Sequence, residues 1–108
     1  MLIAAAAMGT DFEALIPEKY EDSKYLLIVE TDTMEILSLH ENADGHGACY
    51  VQPIADSWSE AIVCGKIPTE IFAAIADAGV SRYNGAGLSV REGIKGAEDN
   101  SLPLMVKE

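Results

Sequence analysis

Residues 60–92, EAIVCGKIPTEIFAAIADAGVSRYNGAGLSVRE, restrict the fold more than any other part of the chain, because they spell a complete βαβ unit followed by a glycine loop and a capped helix start. An apolar run over 61–64 stops at Gly65. Pro68 then opens a segment in which Ile71, Phe72, Ile75 and Ala76 recur at helical spacing, and Gly79 stands where a left-handed cap closes a helix. A second strand over 80–83 follows at once. Strands joined through a helix run parallel, so their carboxyl ends share one rim, and ligands of such sheets usually bind there. Function is therefore expected near Lys66 and Gly85.

The other elements fall around this unit. The alanines of residues 1–7 favour helix, but no cap precedes them and Gly9 ends them, so the segment reads as a central strand. Residues 10–24 are polar, contain Pro17 and read as a loop with a short turn near Glu18 to Asp22; loops of this length are often functional. YLLIVET over 25–31 and MEILSLH over 34–40, separated by Asp32 and Thr33, predict an antiparallel hairpin whose turn lacks the favoured glycine. ENADGHG over 41–47 is turn-rich. The helix after it either covers 48–57 with Pro53 inside, or covers only 54–58 if Pro53 starts it. Ser89-Val90-Arg91-Glu92 matches the capping box S-x-x-E and predicts a last helix ending near Gly96. Residues 99–108 read as a mobile tail whose Leu102, Leu104, Met105 and Val106 are available for packing. The order β, loop, β-β hairpin, α, β, α, β, α implies a mixed sheet with helices on both faces.

A chain of 108 residues supports one small domain with one core. Its 18 acids against 7 bases give a net charge of -11 with no Lys/Arg cluster, which argues against nucleic acid and against anionic membranes as partners. The apolar run over 1–8 has no basic leader and is far shorter than the roughly 20 residues a membrane span needs. Cys49 and Cys64 are the only cysteines, and two reduced thiols in a cytoplasmic protein are expected. Enzymatic signatures are missing: there is no Ser-His-Asp order, no H-E-x-x-H and no Walker sequence, and Asp11, Asp32 and Asp44 lie scattered at turns.

In sequence order the chain resembles the dinitrogenase iron-molybdenum cofactor biosynthesis family. The opening strand and polar loop are followed by Glu30-Thr31-Asp32-Thr33-Met34-Glu35, by Glu41-Asn42 and by His46-Gly47. The strand-glycine element Ala61-Ile62-Val63-Cys64-Gly65-Lys66-Ile67 comes next, then the helix, strand and glycine loop over 72–87 with Val90-Arg91-Glu92 behind them. The resemblance covers residues 1–96 as a single domain of this type, with 97–108 as a C-terminal tail. It implies an α/β, ribonuclease-H-like three-layer fold with a mixed five-stranded sheet. It also implies a nitrogenase-accessory role among cofactor-assembly proteins. Many members carry a His-Phe-Gly-Arg-type motif in the first long loop, where this chain reads Lys19-Tyr20-Glu21-Asp22.

Two constellations could carry chemistry. His46 and Cys49, in H-x-x-C spacing, offer a nitrogen and a thiolate to a metal; Cys64, at the end of a strand, would add a third donor, and His40 is a weaker candidate. Against this, free cysteines are among the most buried residue types, and a glycine-flanked histidine is often only a turn residue. The second constellation is an anion site: Asn84-Gly85-Ala86-Gly87 lies between a strand and a capped helix, so the Gly85 and Gly87 amides, with Lys66 and Arg91, could face an anion. A glycine turn shaped only by chain geometry competes with that reading. The leading expectation is a non-enzymatic binding or carrier protein for an iron-sulfur or iron-molybdenum type cluster or its precursor. A diverged protein-interaction or regulatory module of the same fold is the alternative, and a small-anion sensor at the glycine loop a third. The oligomeric state stays open.

Overall fold

Five strands form one sheet in the order β3-β2-β1-β4-β5 in a computed structural model that describes residues 1–105. The strands are β1 (Leu2–Ala7), β2 (Tyr25–Glu30), β3 (Glu35–Glu41), β4 (Ala61–Cys64) and β5 (Ser81–Asn84). β1 pairs antiparallel with β2 and parallel with β4, and β4 runs parallel to β5, so the sheet is mixed as the element order implied. Three helices cover it: α1 (Val51–Asp56), α2 (Thr69–Asp77) and α3 (Val90–Glu98).

β1 is the central strand despite its helical composition, because both of its faces are covered. Ala4 and Ala6 pack with Ile54 of α1 and with Ile71, Phe72 and Ile75 of α2. Ile3, Ala5 and Ala7 pack on the other side with Val90, Ile94 and Ala97 of α3. Local propensity yields to tertiary burial here, and the small alanine side chains let both layers approach the sheet.

The βαβ unit folds as its sequence reads. Gly79 closes α2 at φ 77°, a backbone conformation that glycine adopts without a Cβ penalty. The capping box of α3 is formed reciprocally: the Glu92 N–H donates to Ser89 Oγ at 3.2 Å and the Ser89 N–H to Glu92 Oε1 at 3.1 Å. α3 runs two residues past Gly96, to Glu98: Gly96 does not take the left-handed conformation that ends a helix, which falls instead to Asn100 at φ 59°. The Pro53 segment falls between its two readings: the helical stretch starts at Ala48 as in the longer one, but Pro53 stands in the first α-helical turn as in the shorter one. A short 3-10 helix over Ala48–Tyr50 leads into α1, so Pro53 sits in the first α-helical turn, where its missing N–H costs little.

The hairpin differs in its turn. Glu30 pairs with Glu35, so residues 31–34 form the connection, and Met34 takes φ 52° in place of the missing glycine. A bulge follows at Leu37, since Val29 pairs with Ile36 and Ile28 with Ser38. Residues 101–105 fold back along β5. The Asn84 N–H donates to the Pro103 carbonyl and the Met105 N–H to the Arg82 carbonyl, while Leu102 packs against Gly96. The tail expected to be mobile is thus bound to the sheet edge as far as Met105; Val106 lies outside the described residues.

Candidate functional site

The carboxyl rim carries the ends of β1, β3, β4 and β5, and the long loop over 8–24 crosses it as a tied strap. The Lys66 N–H donates to the Glu18 carbonyl and the Tyr20 N–H to the Lys66 carbonyl, while the Ile16 N–H reaches Leu88 and the Gly87 N–H returns to Ile16, at distances of 2.8 to 2.9 Å. The strap passes so close over Gly65 that a Cβ there would collide with the backbone oxygens of Pro17 and Glu18. The glycine after β4 is therefore a crossing point of two backbones.

A second loop, over 42–49, locks onto the strap. Tyr20 is buried, donates its hydroxyl to the Gly47 carbonyl at 2.6 Å and meets the Tyr50 ring edge-on at 5.5 Å. Ser23 Oγ lies 3.0 Å from the Tyr50 hydroxyl, and Asn42 Nδ2 donates to the Ser23 and Glu21 carbonyls. Burial pushes the Tyr50 hydroxyl up to about 12 and holds that of Tyr20 well above its usual range, so both act as neutral donors. Asp44 ties the loop from within: it accepts N–H bonds from His46, Gly47 and Cys49. Those bonds, that from His46 foremost, hold its carboxyl below the usual range against a smaller opposing desolvation.

The expected metal donors differ in exposure. His46 is exposed and Cys49 half-buried on the same turn, and the Cys49 thiol lies 3.6 Å from the Glu41 carbonyl. Cys64 is fully buried in the layer beneath α1 and α2, where burial raises its thiol far above the normal range and keeps it neutral. In this conformation Cys64 is a core residue, and a neutral buried thiol is a poor ligand. His40 is held on β3 by a 3.1 Å contact from its Nε2 to Ser38 Oγ. Among the described residues no group of three or more His, Cys, Asp or Glu side chains is gathered for a metal ion.

The anion reading meets a similar correction. The Gly85 N–H donates to Cys64, the Ala86 N–H to Asn84 Oδ1, the Gly87 N–H to Ile16 and the Leu88 N–H to Gly85. The next amides, of Val90 and Arg91, donate to Ala14 and Phe12. The loop amides of residues 85–88 are taken up by β4, by the loop itself and, at Gly87, by the strap, leaving none of these four donors free for an anion. Arg91 is engaged as well, 3.2 Å from Glu13 through Nε and stacked 5.0 Å from the Phe12 ring. Lys66 alone of the expected anion contacts keeps a free side chain at the rim.

Lys66 has company that no motif announces. Lys19 pairs with Lys66 across the strap, and Lys24, whose N–H donates to Ala7, stands at the end of β1; all three side chains are exposed. Three of the chain's 7 Lys and Arg residues thus meet at this rim. Their placement depends on the Lys19–Lys66 pairing, 47 residues apart, and the Lys24–Ala7 bond, 17 apart, and the only sequence signal is their departure from an otherwise acidic composition. Beside them a cleft of about 350 Å³ opens between Glu21, His46, Ala48, Pro68, Glu70 and Ile71.

The family model described as dinitrogenase iron-molybdenum cofactor matches residues 1–100. The chain belongs to this family. Solved structures agree in fold. The apo form of the orange protein from Desulfovibrio gigas is 21% identical with a TM-score of 0.84, over 98% of this chain and 93% of that one. A putative NifB protein from Thermotoga is 22% identical with a TM-score of 0.81, over 99% and 95% of the two chains. A putative dinitrogenase from Methanocaldococcus jannaschii is 24% identical with a TM-score of 0.68, over 97% and 96%. No curated protein matches the sequence. In the segment Lys19-Tyr20-Glu21-Asp22, Tyr20 fills the space under Gly47. No described helix is long and apolar enough to cross a membrane.

Proposed function

We propose that this protein binds and carries an iron-sulfur or iron-molybdenum type cluster, or a precursor of one, as cargo for cofactor-assembly proteins, without catalysing a reaction on it. The observation that carries the reading is the family match over residues 1–100. We also read the order β3-β2-β1-β4-β5, with β2 antiparallel, as a ribonuclease-H-like arrangement.

The carboxyl rim is the proposed point of capture. His46 and Cys49 are its accessible soft donors, and Lys19, Lys24 and Lys66 supply positive charge for an anionic cargo. Two donors on one turn do not close a metal site, so the remaining positions would be filled by the cargo's own sulfides or by the receiving protein, which suits a carrier that must release what it holds. Gly85, Gly87 and Arg91 support this rim as its frame.

A second reading, a regulatory or interaction module that has given up the cluster, is favoured by one specific observation: Tyr20 spends the first loop's motif position on packing. Anaerobic reconstitution with iron, sulfide and molybdate separates the two. The carrier reading expects retained metal and charge-transfer absorption after desalting, reduced in His46→Ala and Cys49→Ser while both variants stay folded. A folded, colourless and metal-free protein would leave the interaction module as the better account.

A further inference from the structure

The opposite rim of the sheet holds the chain's sole tryptophan in an unusual setting. Trp58, between α1 and β4, is 87% exposed and sits at φ 59°, where a glycine or asparagine would make the same turn with less strain. Its indole edges a cleft of about 590 Å³ whose walls are Ile54, Ala55, Ala78 and Val80, with Glu60 at the mouth. A bulky aromatic group held in solvent beside an apolar recess is the composition of an interface anchor.

Charge selects what fits it. Glu60 is the acid that lines this cleft, and α1 and α2 both end at it, which adds the negative end of the α2 dipole. Glu98 lies near Glu60 in an adjoining depression, whereas Glu30 and Asp32 pair with the amino group of Met1. Lys19, Lys24 and Lys66 stand at the other rim, while Arg82, near the start of β5, is engaged: its guanidinium donates to the Val80 carbonyl at 2.6 Å and to the Met105 carbonyl at 3.3 Å and lies 4.5 Å from the Phe72 ring. A second copy of the chain would set acid against acid here.

We propose that the Trp58 cleft is a docking surface for a basic segment of a partner protein. An arginine or lysine of that segment stacks on the indole, its aliphatic stem lies along Ile54 and Ala55, and Glu60 takes its charge. This surface is independent of cargo capture at the carboxyl rim.

The full-length protein tests it by its own fluorescence, since every tryptophan photon comes from Trp58. Titration with the capped peptide Arg-Leu-Arg-Leu-Arg is expected to give a saturable shift in emission, weakened by added salt, with amide NMR shifts confined to Ala55, Ser59, Ala78 and Gly79. The capped peptide Glu-Leu-Glu-Leu-Glu is expected to give none. Trp58→Gly, which suits the left-handed backbone and keeps the fold, is expected to weaken the peptide's NMR-detected affinity about tenfold or more, and Glu60→Gln severalfold. The proposal is overturned if the arginine peptide fails to saturate by millimolar concentration or shifts residues 18–24 instead. Unchanged affinity in Trp58→Gly would overturn it too, as would a dimer in sedimentation that this variant dissociates.

Discussion

At the carboxyl rim the strap over 8–24 and the loop over 42–49 tie their polar groups into one another: backbone crosses backbone at Gly65, Tyr20 donates to Gly47 and Asp44 accepts three amides. At the amino rim the connections are short turns, and the large side chain among them, Trp58, faces solvent. The difference is one of side chains taken up by the frame against side chains left to solvent. The first rim is rigid and offers only what its frame does not consume, namely His46, Cys49 and three lysines. The second offers charge and apolar surface directly. A region that looks polar and functional in sequence can thus be mostly scaffold, while a short turn can be the better advertised surface.

Two glycines break or sharpen this contrast most strongly. In Gly65→Ala the new Cβ meets rigid backbone of the strap, so destabilisation of about 3 kcal/mol or more is expected in urea unfolding. In Gly79→Ala, on the amino rim, the Cβ meets nothing and only the left-handed φ of 77° is penalised, for about 1–2 kcal/mol. Equal losses at the two sites would mean that the strap does not hold Gly65 as closely as described.

The two cysteines give the next largest contrast. Iodoacetamide should alkylate half-buried Cys49 in the native protein, whereas Cys64 must wait for unfolding because its thiol is buried and neutral. A rate ratio of about a hundredfold or more, collapsing in denaturant, is expected. Native reaction at Cys64 would open the carboxyl end of β4 to metal and restore it as a third donor.

What could be read from the sequence was local, and what could not was long-range. The βαβ unit, the Gly79 cap, the Ser89 box and the strand at residues 1–7 follow from spacing and capping chemistry within a few residues. The layer order and the mixed sheet follow from how those elements must connect. The fate of the glycine loop could not be read in this way, because the acceptor for Gly87 is Ile16, some 70 residues earlier. A free cysteine beside a glycine likewise looks the same in sequence whether it points to the rim or, as Cys64 does, into the core. Trp58 gives no signal in sequence, because a single exposed aromatic carries no periodicity.

Buried and exposed hydrogen bonds supply a smaller test. Tyr20→Phe leaves the buried Gly47 carbonyl without its donor and should cost about 1–2 kcal/mol. Tyr83→Phe, whose hydroxyl reaches Asn100 Oδ1 at 2.7 Å in an exposed position, should cost about 0.5 kcal/mol or less, since water replaces the bond. Chemical denaturation of the two variants side by side makes the comparison.

Asp44 gives the smallest effect and the most specific one. Its carboxyl is held below the usual 3.8 chiefly by the His46 N–H, then by those of Cys49 and Gly47. A depressed value means the folded state binds the proton less readily than the unfolded chain, so the contribution is fully present above the unfolded pKa of about 4 and is lost as pH falls through the folded value. The melting-temperature difference between the parent and Asp44→Asn should therefore be constant from pH 7 to about 5 and shrink below about 4. Because the bonds run to backbone amides instead of a mobile counter-charge, the difference should survive added salt. A difference that vanished in salt at neutral pH would assign Asp44 a long-range electrostatic role and remove it as the tie of the loop bearing His46 and Cys49.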